Sequence, residues 1–269
     1  MPPSLTVHHL RVSQSERIVW LCEELQIPYT LKCYDRSPLL APPALASLTP
    51  MQSAPVITDT TPATGEEFNM TESGAIAEYI LSVYGGGGGG GGGDDSGGAG
   101  AGTNNLSLTP THRDFHSYLF WFHFANGTLM PALGRRMFVR LADPTLTSDA
   151  AHAWAEAALA KALTAMDDRL AATGAWLAGA DFTAADVMNV FCVTTMRAYS
   201  PVDLARYPDI LAWLGRVGRR EAYRVAMDKG DPGVDWKRGM SAEGHEVHGA
   251  WKEVLRRAGA VEVRKEQNL

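Results

Sequence analysis

LTVHHLRVSQSERIVWLCEELQIPYTLKC, residues 5–33, is the stretch of sequence that decides the fold. Residues 5–10 predict a short strand, and apolar side chains at i, i+3, i+4 and i+7 predict a helix from about residue 15 to residue 25. Pro28 disfavours a continued helix, and the alternation over residues 29–33 predicts a second strand. The stretch therefore predicts a βαβ unit.

The segment that follows predicts the second half of the same domain. Residues 37–50 contain four prolines, which indicates a loop or a broken helix. Two short strands, 56–58 and 66–70, come next, and a helix over residues 73–84 has a buried apolar stripe. The order βαβ and then ββα is that of a thioredoxin-like domain, a mixed sheet whose last two strands form a hairpin closed by a helix. We expect this domain to span residues 1–84.

Nine consecutive glycines, residues 85–93, mark the largest change of composition, and small or acidic residues continue to Gly102. Because this tract has no apolar side chain larger than Ala, we expect a flexible linker or insertion over residues 85–108. A phosphate-binding loop would require a preceding strand and a Gly-Lys-Ser/Thr or G-x-G-x-x-G pattern, and the tract has neither.

After this tract the sequence predicts helices only. The predicted helices are residues 109–127, 148–172, 183–199, 208–228 and 248–258. In the third, Thr183 and Asp186 have the spacing of a capping box, which we interpret as structural. The predicted fold class is therefore α/β followed by all-α, with a helical-bundle domain over residues 109–229 and a C-terminal extension over residues 230–269.

Composition limits the classes of partner. The 269 residues have a net charge of -6 and are 45% hydrophobic, which suffices for two cores and argues against a nucleic-acid partner. Cys22, Cys33 and Cys192 are too few and too far apart for a disulfide framework or a cysteine metal site. Since no segment has the pattern of a signal peptide or an 18-residue apolar span, we expect a soluble, cytoplasmic protein without membrane insertion.

The first candidate site is Ser13-Gln-Ser-Glu-Arg17, between the first strand and the first helix. A thiol held at a helix N-terminus loses its proton more easily, and a Ser hydroxyl stabilises the thiolate by donating a hydrogen bond. The alternative is structural, because Ser13 and Glu16 also have the spacing of a capping box. The local pattern leaves both roles open.

Two further segments have ligand-binding patterns. Glu72 and Ser73 open the last helix of the first domain, where a carboxylate could be held by Ser73 and an amino group by Glu72. The alternative is again a helix cap. Ala54-Pro55 directly precedes a strand, and a cis bond there would let the Ala54 backbone pair with an extended peptide ligand.

In their shared order and spacing, these pieces resemble the glutathione transferase superfamily, nearest to fungal and bacterial transferases with a Ser-x-Ser-x-x-Arg first helix. The resemblance covers nearly the whole chain apart from the glycine tract and the last forty or so residues. The matching segments are His9-Leu10, Ser13-Gln-Ser-Glu-Arg17, Leu21-Cys-Glu-Glu-Leu25 with Pro28-Tyr29, Ala41-Pro-Pro43, Ala54-Pro-Val56, Glu72-Ser-Gly-Ala-Ile-Ala-Glu-Tyr79 and Ala125-Asn-Gly-Thr-Leu-Met-Pro131.

The resemblance implies that glutathione is the substrate or cofactor and that Ser13 activates its thiol. It implies a glutathione site that comprises Ser53, Ala54, Pro55, Glu72 and Ser73. Ser15 is close enough to exchange roles with Ser13, and Arg17 would mainly anchor the helix, with ligand contact as the alternative. Relatives usually have a Lys where this chain has Pro50-Met-Gln-Ser53, so the contact to the glycyl carboxylate is altered.

An aromatic-rich helix follows the linker. In the resembled fold this region lines the second-substrate pocket and part of a homodimer contact, which makes Phe115, Tyr118, Phe122 and His123 candidates for the pocket. Core packing is the alternative for most of these rings. His112, His116 and His123 share a face but lack an acidic partner at metal-site spacing, so we expect no metal.

Three functions fit this sequence. The first is attack of the glutathione thiolate on a small apolar electrophile. The second is glutathione-dependent cis/trans isomerisation, as in a natural-product pathway, with the same thiolate. The third is a non-catalytic scaffold or regulator that keeps the fold, because a fold alone does not determine activity.

Overall fold

The computed structural model describes residues 4–37, 39–85, 106–143 and 149–257. The predicted linker 85–108 therefore lies outside the described residues except at its two ends. The same holds for the part of the predicted extension beyond residue 257.

A four-stranded mixed sheet forms the first domain, in the order β2-β1-β3-β4. Strand β1 pairs parallel with β2 and antiparallel with β3, and β3 pairs antiparallel with β4. The predicted βαβ-ββα order is confirmed, with the broken segment forming one short helix. The elements are β1 Thr6–Leu10, α1 Glu16–Leu25, β2 Thr30–Tyr34, α2 Pro43–Ala46, β3 Val56–Thr60, β4 Glu67–Thr71 and α3 Ser73–Tyr84.

The two faces of β1 have different neighbours. Because side chains alternate along a strand, Val7 and His9 share one face and Leu10 lies on the other. Val7 packs in the main core with residues of α1 and α3, whereas Leu10 belongs to a smaller cluster with Leu45 of α2. His9 is thereby placed on the side of the sheet that α1 covers.

The second part of the chain is helical over its described residues, which confirms the predicted fold class. Its α-helices are α4 Phe115–Phe124, α5 Met130–Ala142, α6 Asp149–Thr173, α7 Ala184–Val193, α8 Pro208–Val217, α9 Glu221–Gly230, α10 Trp236–Gly239 and α11 Gly249–Arg257. A π-helical turn, Ala125–Leu129, joins α4 to α5, and a 3-10 helix, Thr195–Ala198, follows α7.

Several predicted helix bounds were wrong. The helix predicted over 208–228 is two helices, because Arg220 is extended (φ -71°, ψ 126°) between them. The helix predicted from residue 109 begins six residues later, at Phe115. Helix α5 was not predicted, although Pro131 lies in its first turn, where proline is compatible with a helix.

Helix α1 packs against both parts of the fold. It packs on α3 and β1 of its own domain and on α7 and α9 of the helical part. A single buried hydrophobic cluster runs through residues of both parts. The beginning of α1 therefore lies where both parts of the chain meet.

Two general properties complete the description. Within the four described ranges, no helix is both long and apolar enough to cross a membrane. Cys22, Cys33 and Cys192 are free thiols, and only Cys33 is exposed.

Candidate functional site

The loop between β1 and α1 holds two buried serines with adjacent hydroxyls. Ser13 Oγ lies 2.8 Å from Ser15 Oγ and 2.7 Å from the Leu10 carbonyl oxygen, to which it donates. Ser15 is fully buried and Ser13 is 6% exposed. Of the two hydroxyls, that of Ser13 is therefore the one nearer to solvent.

Neither serine caps the helix. Ser15 is the N-cap residue of α1, but no side chain forms a cap hydrogen bond there. Instead, the N–H groups of Glu16, Arg17 and Ile18 donate to the carbonyls three residues before them. The first turn is thus satisfied by backbone, and the Ser13 hydroxyl accepts only from the N–H of Ser15, the residue just before the helix, at 3.2 Å.

Glu16 also takes no part in a cap. Its carboxylate is buried and accepts a hydrogen bond of 2.6 Å from Thr195 Oγ1, while Oε1 has no partner. Burial raises the pKa of Glu16 to about 8, and the nearby Asp231 carboxylate adds to the shift. The capping-box alternative for Ser13 and Glu16 is therefore wrong, since the Glu16 carboxylate bonds Thr195 and the Glu16 N–H donates to the Ser13 carbonyl rather than to its hydroxyl.

The residue before Ser13 is held in a conformation that branched side chains disfavour. Val12 has φ +52°, in the left-handed region. Its N–H donates to Asp231 Oδ1 at 2.8 Å, and its carbonyl accepts from Tyr199 Oη and Arg36 Nη2. Backbone that several hydrogen bonds hold in a disfavoured conformation is common at functional sites. Here these bonds fix the direction in which the chain runs from β1 to Ser13.

A histidine and an aspartate stand behind the two serines. His9 Nδ1 lies 2.9 Å from Ser15 Oγ, and His9 Nε2 lies 3.1 Å from Asp231 Oδ2. Both side chains are almost fully buried. Asp231 directly follows α9, so this carboxylate reaches the serine loop from the far end of the chain.

The predicted cis peptide bond at Ala54–Pro55 is confirmed. Gln14 Nε2 donates to the Ala54 carbonyl at 3.1 Å, which ties this corner to the serine loop. Thr71 Oγ1 donates to the Pro55 carbonyl at 2.9 Å. Ser53, just before this corner, is exposed.

The start of α3 presents a serine and a glutamate in different surroundings. Ser73 is 2% exposed, and its hydroxyl accepts from Arg17 Nη1 and Asn126 Nδ2. Glu72 is exposed and has φ +73°. No side chain caps the first turn of α3, so the alternative of a simple cap at Ser73 is wrong.

Arg17 connects these pieces. Its guanidinium donates to Gln14 Oε1, Ser73 Oγ and Asn126 Oδ1, and Nη2 lies 3.1 Å from Cys192 Sγ. The side chain is 1% exposed and lies over the Phe191 ring. A continuous network therefore joins the serine loop, the Ala54 corner and the start of α3, with Arg17 as a buried anchor.

The aromatic and histidine candidates for a second-substrate pocket differ in their surroundings. Tyr118 and Phe122 are buried core residues whose rings lie 5.8 Å apart, and Phe115 packs against the same core. His123 is exposed, with Nε2 3.8 Å from Glu78 Oε1. None of the four shares a hydrogen bond or ring contact with the described residues of the serine loop.

One surface cleft lies away from these residues. It is lined by Glu23, Glu24, Trp176, Arg216 and Arg220 toward the other end of α1, and Arg220 pairs with Glu24 across it. Within the described ranges, no three His, Cys, Asp or Glu side chains converge as metal ligands.

Three residues with a place in this corner were missed from sequence. Asn126 belonged to a matching segment but had no assigned role, and the π-helical turn that aims it at Ser73 and Arg17 leaves no simple periodic signal. His9 was likewise without a role. Asp231 is 222 positions from His9, so no local pattern could connect them.

Comparison with known proteins places this geometry in a family. Residues 13–82 match the N-terminal domain model of glutathione S-transferases, and residues 140–216 match their C-terminal domain model. Together the two matches span more than half of the chain. Glutathione S-transferase 3 of Schizosaccharomyces pombe is 29% identical over 240 residues, which cover 84% of this chain and 87% of that protein.

Solved structures show the same fold. A glutathione S-transferase from Actinobacillus pleuropneumoniae superposes with a TM-score of 0.68 at 24% identity, covering 88% of this chain and 98% of that one. A transferase from Burkholderia graminis, with two glutathione molecules bound per subunit, gives 0.65 at 20% identity over 86% and 90%. The matches to both domain models and to the Schizosaccharomyces pombe protein agree with the observed fold, a mixed sheet followed by helices. The chain therefore belongs to the glutathione transferase superfamily.

Proposed function

We propose that this protein binds glutathione at the Ser13 corner, where the serine loop, Ala54–Pro55 and the start of α3 meet. We propose that it activates the glutathione thiol there for attack on a small apolar electrophile. One observation carries the proposal. The Ser13 hydroxyl lies at the positive end of α1, and its single proton, which is donated to the Leu10 carbonyl at 2.7 Å, can turn to a sulfur by rotation about the Cβ–Oγ bond. Thiolate stabilisation is the chemical need of such an enzyme, because the thiolate is the nucleophile.

The network around Ser13 supports a tripeptide lying across it. The exposed Glu72 carboxylate has no ion-pair partner among the described residues and suits an α-amino group. Ser73 and the first turn of α3 suit the α-carboxylate beside that amino group. The Ala54 backbone before Pro55 would pair with the cysteinyl residue, which lies between these groups and Ser13.

The glycyl end of the tripeptide meets a different surface in this chain. Met51, Gln52 and Ser53 are exposed and uncharged. Without a cation there, the glycyl carboxylate accepts hydrogen bonds from uncharged donors only and forms no ion pair. We therefore expect this end to contribute less affinity than the γ-glutamyl end.

The test is the effect of Ser13→Ala on glutathione conjugation to a chlorinated nitroarene. Loss of one donor aimed at a developing anion typically lowers the rate about 100-fold, and we expect that loss in kcat/KM. Ser82→Ala, an exposed serine of α3, is the matched control and should retain the wild-type rate. An unchanged rate in Ser13→Ala would reject the role of Ser13.

The same assay separates the competing functions. Conjugation consumes one glutathione per product, whereas isomerisation of a conjugated cis alkene proceeds without net consumption. A protein that binds glutathione in a calorimeter but turns over neither substrate would be a binding module. A protein that does not bind glutathione at neutral pH would overturn the proposal.

A further inference from the structure

Four buried polar groups form a hydrogen-bonded chain behind the proposed thiol site. Ser13 Oγ lies 2.8 Å from Ser15 Oγ, Ser15 Oγ 2.9 Å from His9 Nδ1, and His9 Nε2 3.1 Å from Asp231 Oδ2. Each step is within hydrogen-bond reach. This row of four groups, Ser13, Ser15, His9 and Asp231, starts at the less buried of the two hydroxyls and ends at a carboxylate from the helical part.

The direction of the hydrogen bonds follows from the carboxylate. A carboxylate only accepts, so the His9 nitrogen facing Asp231, Nε2, bears a proton. In the neutral ring the other nitrogen, Nδ1, is then an acceptor, and the Ser15 hydroxyl donates to it. Ser15 has a single proton, which is thereby committed to His9. The Ser13 hydroxyl, which donates to the Leu10 carbonyl here, is the one that can rotate to face a sulfur.

The arrangement has the order of a serine, histidine and aspartate triad, but Ser15 cannot act as a nucleophile. Its side chain is fully buried, and Ser13 lies between it and solvent. A group that no substrate can touch acts only through its neighbour. Ser15, His9 and Asp231 can therefore act on a bound substrate only through the Ser13 hydroxyl.

We propose that His9 accepts the thiol proton of glutathione through the Ser13 and Ser15 hydroxyls, and that Asp231 holds the ring in the tautomer that permits this. The inference rests on the proposed function, because it assumes a glutathione thiol at Ser13. His9 and Asp231 are positioning and proton-accepting residues that act through the two serines.

The proton steps balance without any added reagent. The S–H bond breaks as Ser13 Oγ takes its proton, Ser13 passes its own proton to Ser15 Oγ, and Ser15 passes its own to His9 Nδ1. The electron pair of the S–H bond remains on sulfur as the thiolate. Afterwards Ser13 donates to the thiolate, Ser15 donates to Ser13, and the imidazolium donates to Ser15 and to Asp231.

The charges around the row stabilise the state after proton transfer, in which His9 is an imidazolium. Asp231 compensates the imidazolium directly, and the low polarity of a buried site strengthens that attraction. Other ionisable groups also lie near the pair, in α1, in β2, in the loops after β1 and β2, and in the helical part. They are Glu16, Arg11, Cys33, Arg36, Tyr199, Tyr223 and His245. Glu16, with its pKa raised to about 8, is largely uncharged at neutral pH.

The backbone leaves the histidine ring little freedom. A Cβ on Gly230 would lie 3.0 Å from His9 Nε2, so only a glycine fits there without displacing the ring. Arg11 Nη1 donates to the Gly230 carbonyl at 2.8 Å and holds this turn against β1. The ring is therefore kept in line with both Ser15 and Asp231.

The decisive measurement counts protons when glutathione binds. Thiolate formation is followed by its ultraviolet absorbance, and proton release by a pH indicator in weakly buffered solution near pH 7. In the wild type we expect thiolate with almost no proton released, because the proton stays on His9. In His9→Gln, which has no basic nitrogen, we expect about tenfold less thiolate, one pKa unit, and one proton released per thiolate formed.

Asp231→Asn supplies an independent variant that keeps the side-chain size and the acceptor for Val12. Its amide can donate to His9, which favours the tautomer with the proton on Nδ1 and blocks the relay; a tautomer change of this kind is strongly inhibitory in serine proteases. His8→Gln is the matched control, because His8 lies on the opposite face of β1 and bonds Tyr34 and Thr58. It should retain wild-type thiolate and proton counts.

The outcomes separate the relay from the proposed function. Absence of bound glutathione or of thiolate in the wild type would overturn both. Thiolate accompanied by one released proton in the wild type would overturn the relay alone, and this result requires no variant to fold. Equal thiolate and proton counts in wild type and His9→Gln would also overturn it.

Discussion

Helices α1 and α7 begin with the same chemical groups and use them differently. Each has a hydroxyl residue near its start and a buried acid in its first turn, Glu16 in α1 and Asp186 in α7. At α7 the Thr183 hydroxyl and the Asp186 carboxylate close the helix as a capping box. At α1 the Glu16 carboxylate bonds Thr195 and the Ser15 hydroxyl faces His9, and backbone carbonyls take the first N–H groups.

The two acids differ in how completely they are satisfied. Asp186 accepts from the N–H groups of Leu177 and Thr183 and from Trp213 Nε1, and burial raises its pKa only to about 6. Glu16 has one hydrogen bond, and its pKa rises to about 8. The buried acid of α7 therefore stabilises the fold through satisfied hydrogen bonds. The buried acid of α1 lies beside the proposed site with one oxygen unsatisfied, which lowers the stability of the fold.

The largest effect is expected for Asp186→Ala. Removing this carboxylate leaves several buried donors without partners, and we expect the free energy of unfolding to fall by about 4 kcal/mol. Urea denaturation measures it. The control is Asp181→Ala, an exposed acid in the same loop, which should change stability by no more than about 0.5 kcal/mol. Similar losses for both variants would contradict a special role for the capping box.

An effect of opposite sign is expected for Glu16→Gln. With the pKa of Glu16 near 8 in the folded state and at its ordinary value of 4.5 in the unfolded state, the folded state retains a proton that the unfolded state releases. Wild-type stability therefore falls as pH rises from about 4.5 to 8, by about 1.4 kcal/mol per unit at most. Allowing for the buried amide that Gln introduces, the variant should be about 3 kcal/mol more stable than wild type at pH 8.

Denaturation at pH 5 and pH 8 measures the Glu16→Gln effect. The advantage should nearly vanish at pH 5, where Glu16 is protonated in the folded state and the pH is only half a unit above its pKa of 4.5 in the unfolded state, so its ionisation there costs less than about 1 kcal/mol. Glu67→Gln, an exposed position in β4, is the control and should show no such growth with pH. A constant difference at both pH values would show that Glu16 does not titrate as described.

The smallest effect on stability is expected for Ser13→Ala. Because Ser13 does not cap α1, its loss should lower the free energy of unfolding by only about 1 kcal/mol, the value of a typical hydrogen bond. Thermal unfolding checks this beside the activity assay. A loss as large as that of Asp186→Ala would mean that Ser13 supports folding, and the comparison between the two helix starts would fail.

The capping box and the fold were predictable because their signals are local. Thr183 and Asp186 are three residues apart, and the strand and helix periods of the first domain appear within short windows. The same local rule misled at Ser13 and Glu16, where the spacing of a capping box is present but Thr195 draws the carboxylate away. Tertiary contacts decided between the two alternatives.

The candidate site was predictable in part, and only through family resemblance. The cis bond at Pro55 followed from that resemblance, whereas the partners of Ser13 and Ser73 did not. His9 meets Asp231 across 222 positions, and Asn126 reaches Ser73 from a π-helical turn, so neither contact has a signature in a short window. The roles of Ser13, Glu72 and Ser73 stay predictions that the experiments above test.

The bond between Val12 and Asp231 has a consequence for biosynthesis. The loop that begins α1 leaves the ribosome early, but the carboxylate that holds the Val12 N–H is made more than two hundred residues later. Domains emerge and fold from the N-terminal side during translation. The nascent first domain therefore lacks one tether of its serine loop until α9 is synthesised and docked, and this corner of the protein is completed late.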